Sequence, residues 1–517
     1  MKLNYKRTIL VGFAFFLISA FWQAYDATIP VILTNKFGMS QTWSGVIMAL
    51  DNILAVFMLP VFGAISDKCL TKYGKRTPFI TIGTVIAAVA ILCLSFVDNA
   101  QLQNISAVST IDDVSALETI YDTQADTPLL TPEGDTVVLR DSFTKEEFSA
   151  IRCKITDAET GKTITNPDYT NYVAPARQAY AAEQTAHNKT PLILFIALLL
   201  VVLVAMATFR SPAVALMPDV TMKPLRSKAN AVINLMGTAG GILVLVLGMV
   251  FSTSAVQNAM MSYTLYYSII ASIMLGALII FLCTVREPKW AAEMAADSVK
   301  YGIEEETSDA AEKRSLSSAE KKSLICILLS IALWYFGYNA VTSKYAVYAG
   351  NILDKDYNTT MLLAQAAAIV AYLPAGTVAS KIGRRKTIMG GVVMLTTAFG
   401  CAAFMRSSSP TLVMNILFAL AGVAWATINV NSFPMVVEMC SGADIGKYTG
   451  FYYTASMTAQ IVTPMLSGFL MDQMGMTILF PYAAIFVALA LVTMFLVKHG
   501  DAKVTAKKGL EAFAEED

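Results

Sequence analysis

The sequence predicts an all-α membrane protein whose twelve transmembrane helices fall into two six-span halves. Three observations predict it. The chain of 517 residues is 56% hydrophobic and only 15% charged, with a mean hydropathy of +0.56, whereas a soluble domain carries about 25% charged residues. Apolar stretches recur along its whole length, each long enough to cross a hydrocarbon core of about 30 Å as a helix. A basic turn following a small-residue helix end appears once in each half. With 38 Lys+Arg balanced by 38 Asp+Glu, and no basic stripe, the composition excludes a soluble enzyme and a nucleic-acid binder.

The twelve apolar segments run over 8–34, 43–66, 77–97, 190–218, 227–252, 262–284, 323–349, 357–380, 387–405, 411–437, 448–471 and 476–498. The first lacks a small-residue cleavage site and is read as a retained span. Lys and Arg in the short loops set the orientation. One set of ends carries Lys2, Lys6 and Arg7; Lys68, Lys72, Lys75 and Arg76; Lys223, Arg226 and Lys228; Lys381, Arg384, Arg385 and Lys386; and Lys498, Lys503, Lys507 and Lys508. The opposite ends carry Lys36, Lys355 and Arg406. This bias predicts a multi-pass protein of the plasma membrane with both termini cytoplasmic. The chain divides into 1–97 (spans 1–3), 98–188 (an extracytoplasmic insertion), 189–284 (spans 4–6), 285–322 (a cytoplasmic linker, partly helical at most), 323–498 (spans 7–12) and 499–517 (a cytoplasmic tail).

The insertion is acidic, with 15 Asp+Glu against 6 Lys+Arg. Strand-like runs occur at Thr136–Arg140 and around Lys154–Asn166, where Thr160-Gly161 suits a hairpin turn. A small α+β lid and a passive solvated insertion are the two readings. The seven cysteines (Cys69, Cys93, Cys153, Cys283, Cys326, Cys401 and Cys440) form no CxxC pair, and His187 and His499 lie outside the apolar runs. Neither a metal site nor a disulfide framework is expected, and no cofactor.

The two halves echo each other. After span 2 stands Gly63-Ala-Ile-Ser-Asp67, then Gly74-Lys75-Arg76; after span 8 stands Gly376-Thr-Val-Ala-Ser380, then Gly383-Arg384-Arg385-Lys386. Glycines permit close helix contact, and the basic cluster suits a helix C-terminus or a carboxylate. Asp67 is placed to clamp Arg76. A second echo links Asp219, before span 5, to Glu438, before span 11. These groups, Gly63, Asp67, Gly74, Lys75, Arg76, Asp219, Gly383, Arg384, Arg385 and Glu438, are assigned to a cytoplasmic gate.

Further motifs are Ala49-Leu50-Asp51-Asn52 with Pro60, Thr77-Pro78-Phe79 after the first basic turn, Arg210-Ser-Pro-Ala-Val-Ala-Leu216-Met-Pro218-Asp219, and Ala229-Asn230-Ala231. On these residues the sequence resembles the major facilitator superfamily, and within it the sucrose/proton symporter-like branch related to glycoside–pentoside–hexuronide transporters. The resemblance covers nearly all twelve spans but not 98–188. It implies two six-helix bundles around a central cavity, alternating between outward- and inward-facing states. It also implies that a span-1 carboxylate paired with a span-4 arginine, here Asp26 and Arg210, serves ion coupling.

Charged groups within hydrocarbon are costly and therefore functional candidates. Asp26 in span 1 and Asp51 in span 2 both lie about 25 Å from the cytoplasmic ends, and Arg210 lies about 13 Å inside the end of span 4. Two carboxylates at one level suit sharing a proton or clamping a cation. Neutral polar and aromatic residues suit a sugar, whose hydroxyls need hydrogen bonds and whose C–H faces stack on rings. The candidates are Trp22, Gln23, Tyr25 and Asn52 in the first half, and Tyr335, Tyr338, Asn339, Gln365, Asn429, Tyr452 and Gln460 in the second. Trp334, Asn431 and Tyr453 share these residue types. Lys344, near the outer end of span 7, is read as solvated. Pro218, Pro374, Pro434 and Pro464 are candidate kinks.

The expected function is secondary active symport of a small-molecule solute, a sugar or glycoside, driven by a coupling ion, with the proton favoured. The alternatives are a sodium-coupled symporter, a proton-linked exporter of another small solute, and a non-transporting sensor using the insertion as receptor. No Gly-x4-Gly-Lys-Ser/Thr loop supports a primary pump. No nucleophile–base cluster supports an enzyme. The partners expected are the solute, the ion and the lipid bilayer, with no nucleic acid, and the chain is expected to work as a monomer.

Overall fold

The computed structural model describes residues 3–69, 71–156, 161, 163–222, 225–300, 316–437, 439 and 445–499. The first half opens with α1 (Tyr5–Asn35), α2 (Gln41–Lys68) and α3 (Thr77–Asn104). The insertion follows, with α4 (Val114–Gln124), α5 (Leu139–Ser142), α6 (Lys145–Ala150) and α7 (Ala174–His187). The half closes with α8 (Thr190–Asp219), α9 (Arg226–Phe251) and α10 (Thr264–Thr284). The linker contains α11 (Glu287–Lys300). The second half comprises α12 (Ser318–Tyr348), α13 (Tyr357–Ile382), α14 (Arg384–Ala402), α15 (Thr411–Val437), α16 (Ile445–Met474) and α17 (Leu479–Phe495).

The twelve expected spans are therefore all helices, each within a few residues of its apolar run except α3, which extends past the run to Asn104. Among the described residues nine of them are long and apolar enough to cross a membrane by that measure alone. The other three are α13, α14 and α16: α14 opens on Arg384-Arg385-Lys386, α16 carries Gln460 among several Ser and Thr residues, and α13 includes positions outside the described residues. Local chemistry fixes the starts. Asn4 caps α1, Ser40 caps α2, and Ser317 with Glu320 forms a capping box on α12. Pro218, Pro374, Pro434 and Pro464 all lie inside helices.

Each half has its own apolar core. Phe21, Ile91, Phe195 and Phe209 anchor the first. Trp334, Tyr345, Val392 and Phe480 anchor the second, and Ala27, Val31 and Leu245 of the first half pack into it. Trp334, one of the aromatic candidates, is thus a core residue.

The insertion is a small α+β unit. Its hairpins are β1 (Leu129–Leu130) with β2 (Thr136–Val137), and β3 (Lys154–Thr156) with β4 (Thr163–Thr165), both antiparallel. The strand expected over Thr136–Arg140 is shorter than its pattern suggested, because the chain turns into α5 at Leu139. The second hairpin stands where expected. Gly161 has φ +64, and the rest of that turn lies outside the described residues. Ile105, Leu117, Phe148 and Tyr169 form the unit's core, joined by Val256 and Met260 from the loop after α9.

A buried ion pair roots the insertion in the first half. Lys36, just past α1, and Asp98 of α3 are both fully buried at 2.7 Å. Lys36 also donates to the Met261 carbonyl and sits 4.6 Å from the Tyr263 ring centre. Removing one partner leaves the other charge buried and unpaired. Lys36→Met is expected to lower stability by about 3–5 kcal/mol, and the double change with Asp98→Leu to recover most of it. Thermal unfolding in detergent checks this.

Burial pushes the Cys153 thiol up to about 11; the Asp112 carboxylate adds to this, while Lys154 and Arg177 oppose it. The stabilising contribution of the neutral thiol is whole below the ordinary thiol range and is lost as pH climbs through about 11. In the folded protein Cys153 is expected to resist iodoacetamide at about pH 8, becoming reactive on unfolding. Peptide mapping of the alkylated protein checks this.

The end of the bundle that carries the insertion is sealed between the halves. Asp472, at the end of α16, accepts the backbone N–H groups of Gln41 and Thr42 at the start of α2, both at 2.7 Å. A carboxylate at a helix N-terminus is favoured by the helix dipole. Lys344 donates to the Gln41 carbonyl. It is fully buried, which corrects the expectation of a solvated side chain: α12 carries it into the contact between the halves rather than to its rim. A Cβ on Gly45 would run into the Pro464 carbonyl, and one on Gly468 into that of Gln41, so α2 and α16 touch backbone to backbone. Beside them Asp356 caps α13 and accepts from Ser254 of the first half at 2.6 Å.

Candidate functional site

The structure brings Asp26 and Asp51 within electrostatic reach of each other, and Arg210 within reach of Asp51. Arg210 feels the field of the Asp51 carboxylate. Its guanidinium lies 5.8 Å from the Trp22 ring centre. Among the described residues no ion pair within 4.0 Å involves these three groups. Asn52 is occupied by Asp51, to which its Nδ2 donates at 2.7 Å.

The second half faces this cluster. Tyr338 interacts electrostatically with Asp26, and Tyr453 with Arg210. Tyr338 lies flat on Trp425, with ring centres 3.6 Å apart and planes 4° from parallel, and Tyr335 meets the same indole edge-on at 5.2 Å. Tyr335 interacts electrostatically with Tyr452, whose hydroxyl contacts that of Ser432 at 3.2 Å. Trp425 escaped the sequence reading because an indole in an apolar run looks like packing. The usable signal was its role as a platform for the Tyr335–Tyr338 face.

Gln23 and Gln365 meet across the halves. Gln365 donates to Gln23 Oε1 at 2.6 Å, and Gln23 donates to the Tyr357 hydroxyl at 3.2 Å. Buried amides satisfy one another in this way. By contrast Trp22 Nε1, the Tyr25 hydroxyl and Asn339 Nδ2 are buried with no hydrogen-bond partner. Unmet buried donors are costly. Gln460 is turned back on its own helix, donating to the Ser456 carbonyl at 3.3 Å, and Asn431 does the same to Thr427 at 2.8 Å. Asn429 is half-buried on α15.

The gate residues assemble in the first half at the end opposite the insertion. Arg76 is buried; it pairs with Asp219 at 2.7 Å and with Asp67, and also donates to Ser66. One guanidinium thereby ties α2, α8 and the start of α3. Gly63 packs against Ser211, where a Cβ would come within 2.9 Å of the hydroxyl. Glu287, the first residue of α11, accepts the backbone N–H groups of Lys75, Arg76 and Thr77 at 2.6, 2.9 and 2.8 Å. Gly74 makes this possible: its φ is +115, and a Cβ there would strike the Glu287 carboxyl. Glu287 was missed because its segment reads as a solvated linker.

In the second half Gly383 also has a positive φ, +94. Arg385 there reaches the Met494 and Phe495 carbonyls at 3.2 and 3.0 Å, capping α17. Arg384 begins α14, and Glu438 lies outside the described residues.

Two family models match the chain, one in each half. The model described as MFS/sugar transport protein matches residues 10–108, and that described as Major Facilitator Superfamily matches residues 324–514. The chain belongs to the major facilitator superfamily. It is similar to the MFS-type transporter ppzB of Metarhizium rileyi (strain RCEF 4871), 28% identical over 27% of this chain and 29% of that protein. It is also similar to the sucrose transport protein SUC4 of Arabidopsis thaliana, 32% identical over 14% of each chain. The matched stretches thus span less than a third of these relatives' length. In fold it is similar to the xylose transporter XylE from E. coli in an inward open conformation, with TM-score 0.58, 14% identity, and 99% and 100% of the two chains covered. A mutant of the nucleoside transporter NupG gives TM-score 0.57 at 12% identity, covering 95% and 100%.

Proposed function

We propose that the protein is a secondary active transporter of a sugar or glycoside, working by alternating access and coupled to protons through Asp26 and Asp51. The observation that carries this reading is the charged cluster: two carboxylates and one guanidinium in one half, facing a tyrosine–tryptophan platform in the other. Carboxylates set close together inside a membrane protein suit the binding and release of a coupling proton. Loading or losing that proton changes the charge facing Arg210, and with it the preferred arrangement of the halves. Trp22, Tyr25 and Asn339 offer free donors to hydroxyls, and Trp425 with Tyr338 offers an apolar face to sugar C–H groups. The match to a sugar-transport family model over α1–α3 supports the solute class.

The state described has its insertion-bearing end closed, with Asp472, Lys344 and Asp356 as latches. With that end extracytoplasmic, as the Lys/Arg bias predicts, this is a state closed to the outside. Opening the other way requires these latches to part while the Arg76 gate and its counterpart close against each other. Uptake of a panel of labelled sugars into proteoliposomes, under imposed pH or sodium gradients, tests the reading. Concentration of at least one sugar driven by a pH gradient alone is the expected result. Drive by sodium alone would replace the proton, and no sugar moved by either gradient would overturn the proposal.

A further inference from the structure

Arg177, in α7 of the insertion, is 2% exposed, and none of its three guanidinium nitrogens has a hydrogen-bond partner. Its described contact is the face of Tyr169, with 5.8 Å between the guanidinium carbon and the ring centre. A buried cation in this condition is expensive, and buried charges are ordinarily paired. The carboxylates of the neighbourhood are engaged elsewhere. Asp112 accepts from the Cys153 backbone. Asp354 accepts from Thr165 and has Lys154 3.6 Å away. Asp356 accepts from Ser254, Thr359 and Asn358. None of them forms an ion pair with Arg177 among the described residues.

Arg177 lines a cavity of about 40 Å³. That volume suits one small anion in place of a few waters. Asn35 of α1 lies on the wall; its carbonyl oxygen accepts from Gln178 at 2.9 Å, which leaves its amide nitrogen as a second donor. Ser254, from the loop after α9, Ala346, near the end of α12, and Asn351, just past it, also line the cavity.

We propose that this cavity binds a small monovalent anion, a halide or the carboxylate of a one- or two-carbon acid, with Arg177 as the charged ligand. A compact anion supplies the negative charge that the guanidinium lacks and fits the volume. The wall is assembled from the insertion and from both halves, so a bound anion holds the sealed end together. This last consequence rests on the transport reading, whereas the binding does not.

Equilibrium binding of chloride-36 to the purified full chain, at constant ionic strength with gluconate as the bulky replacement, tests the site without any gradient or solute. Saturable binding of about one chloride per chain, displaced by formate, is expected. Binding of labelled formate without chloride would narrow the ligand to carboxylates and still support the site. Absence of saturable binding of either probe to the wild-type chain would overturn it, whatever the outcome of sugar uptake. Arg177→Met is expected to weaken binding at least about tenfold, and unchanged affinity in that variant would also overturn the assignment. Ala346→Leu, which fills the cavity from the opposite wall and keeps the charge, is expected to give the same loss, so a folding defect in the first variant leaves the test intact.

Discussion

Replacing Asp26 with Asn is expected to abolish gradient-driven accumulation while leaving solute exchange running. One coupled proton supports up to about tenfold accumulation per unit of pH difference, because each unit is worth 1.36 kcal/mol. Without a titrating group at that position the ratio should fall to about one. Exchange needs the rocking of the halves but no net proton release, so it should persist, and its dependence on pH should flatten. The physical basis is the closeness of Asp26 to Asp51 and of Asp51 to Arg210. In wild type, neutralising one acid relieves the repulsion on the other; in the variant that relief is permanent. Parallel measurements in proteoliposomes, uptake under a pH gradient and counterflow without one, separate the two behaviours. Undiminished accumulation by Asp26→Asn would remove that residue from coupling.

Gly45→Val is expected to stop turnover while sparing solute binding. The added side chain would meet the Pro464 carbonyl, a backbone atom that no rotamer change can move aside. Closely packed interiors accommodate such an overlap only by parting the helices. The variant should therefore favour the arrangement with α2 and α16 apart. Transport is expected to fall more than about tenfold, with equilibrium binding of the solute retained. Normal turnover would mean that this backbone contact is not a feature of the working cycle.

Much of the fold was legible because a membrane leaves few choices. Apolar runs of sufficient length must be helices, and α1 to α3, α8 to α10 and α12 to α17 fall where those runs lie. The Asp67–Arg76 clamp was legible from a short-range motif, since its partners are nine residues apart. What escaped was what depends on contacts between distant segments. Lys344 looked like an ordinary charge at a helix end, and only the approach of α2 buries it. Glu287 fell in a stretch read as a solvated linker, and Asp472 drew no reading at all, yet each closes the exposed N–H groups at the start of another helix. The same limit applies within the site. Tyr335, Tyr338 and Asn339 were placed on one face by spacing alone, but their platform, Trp425, comes from a helix nearly ninety residues away.

The insertion leaves the chain between α3 and α8, yet it grips the second half as well: Met476 donates to the Pro132 carbonyl at 2.7 Å, and Thr165 to Asp354 at 3.1 Å. It behaves as a hasp thrown across a hinged door. On the alternating-access proposal, every swing in the other direction must first peel the hasp free, which is expected to slow the empty molecule's return.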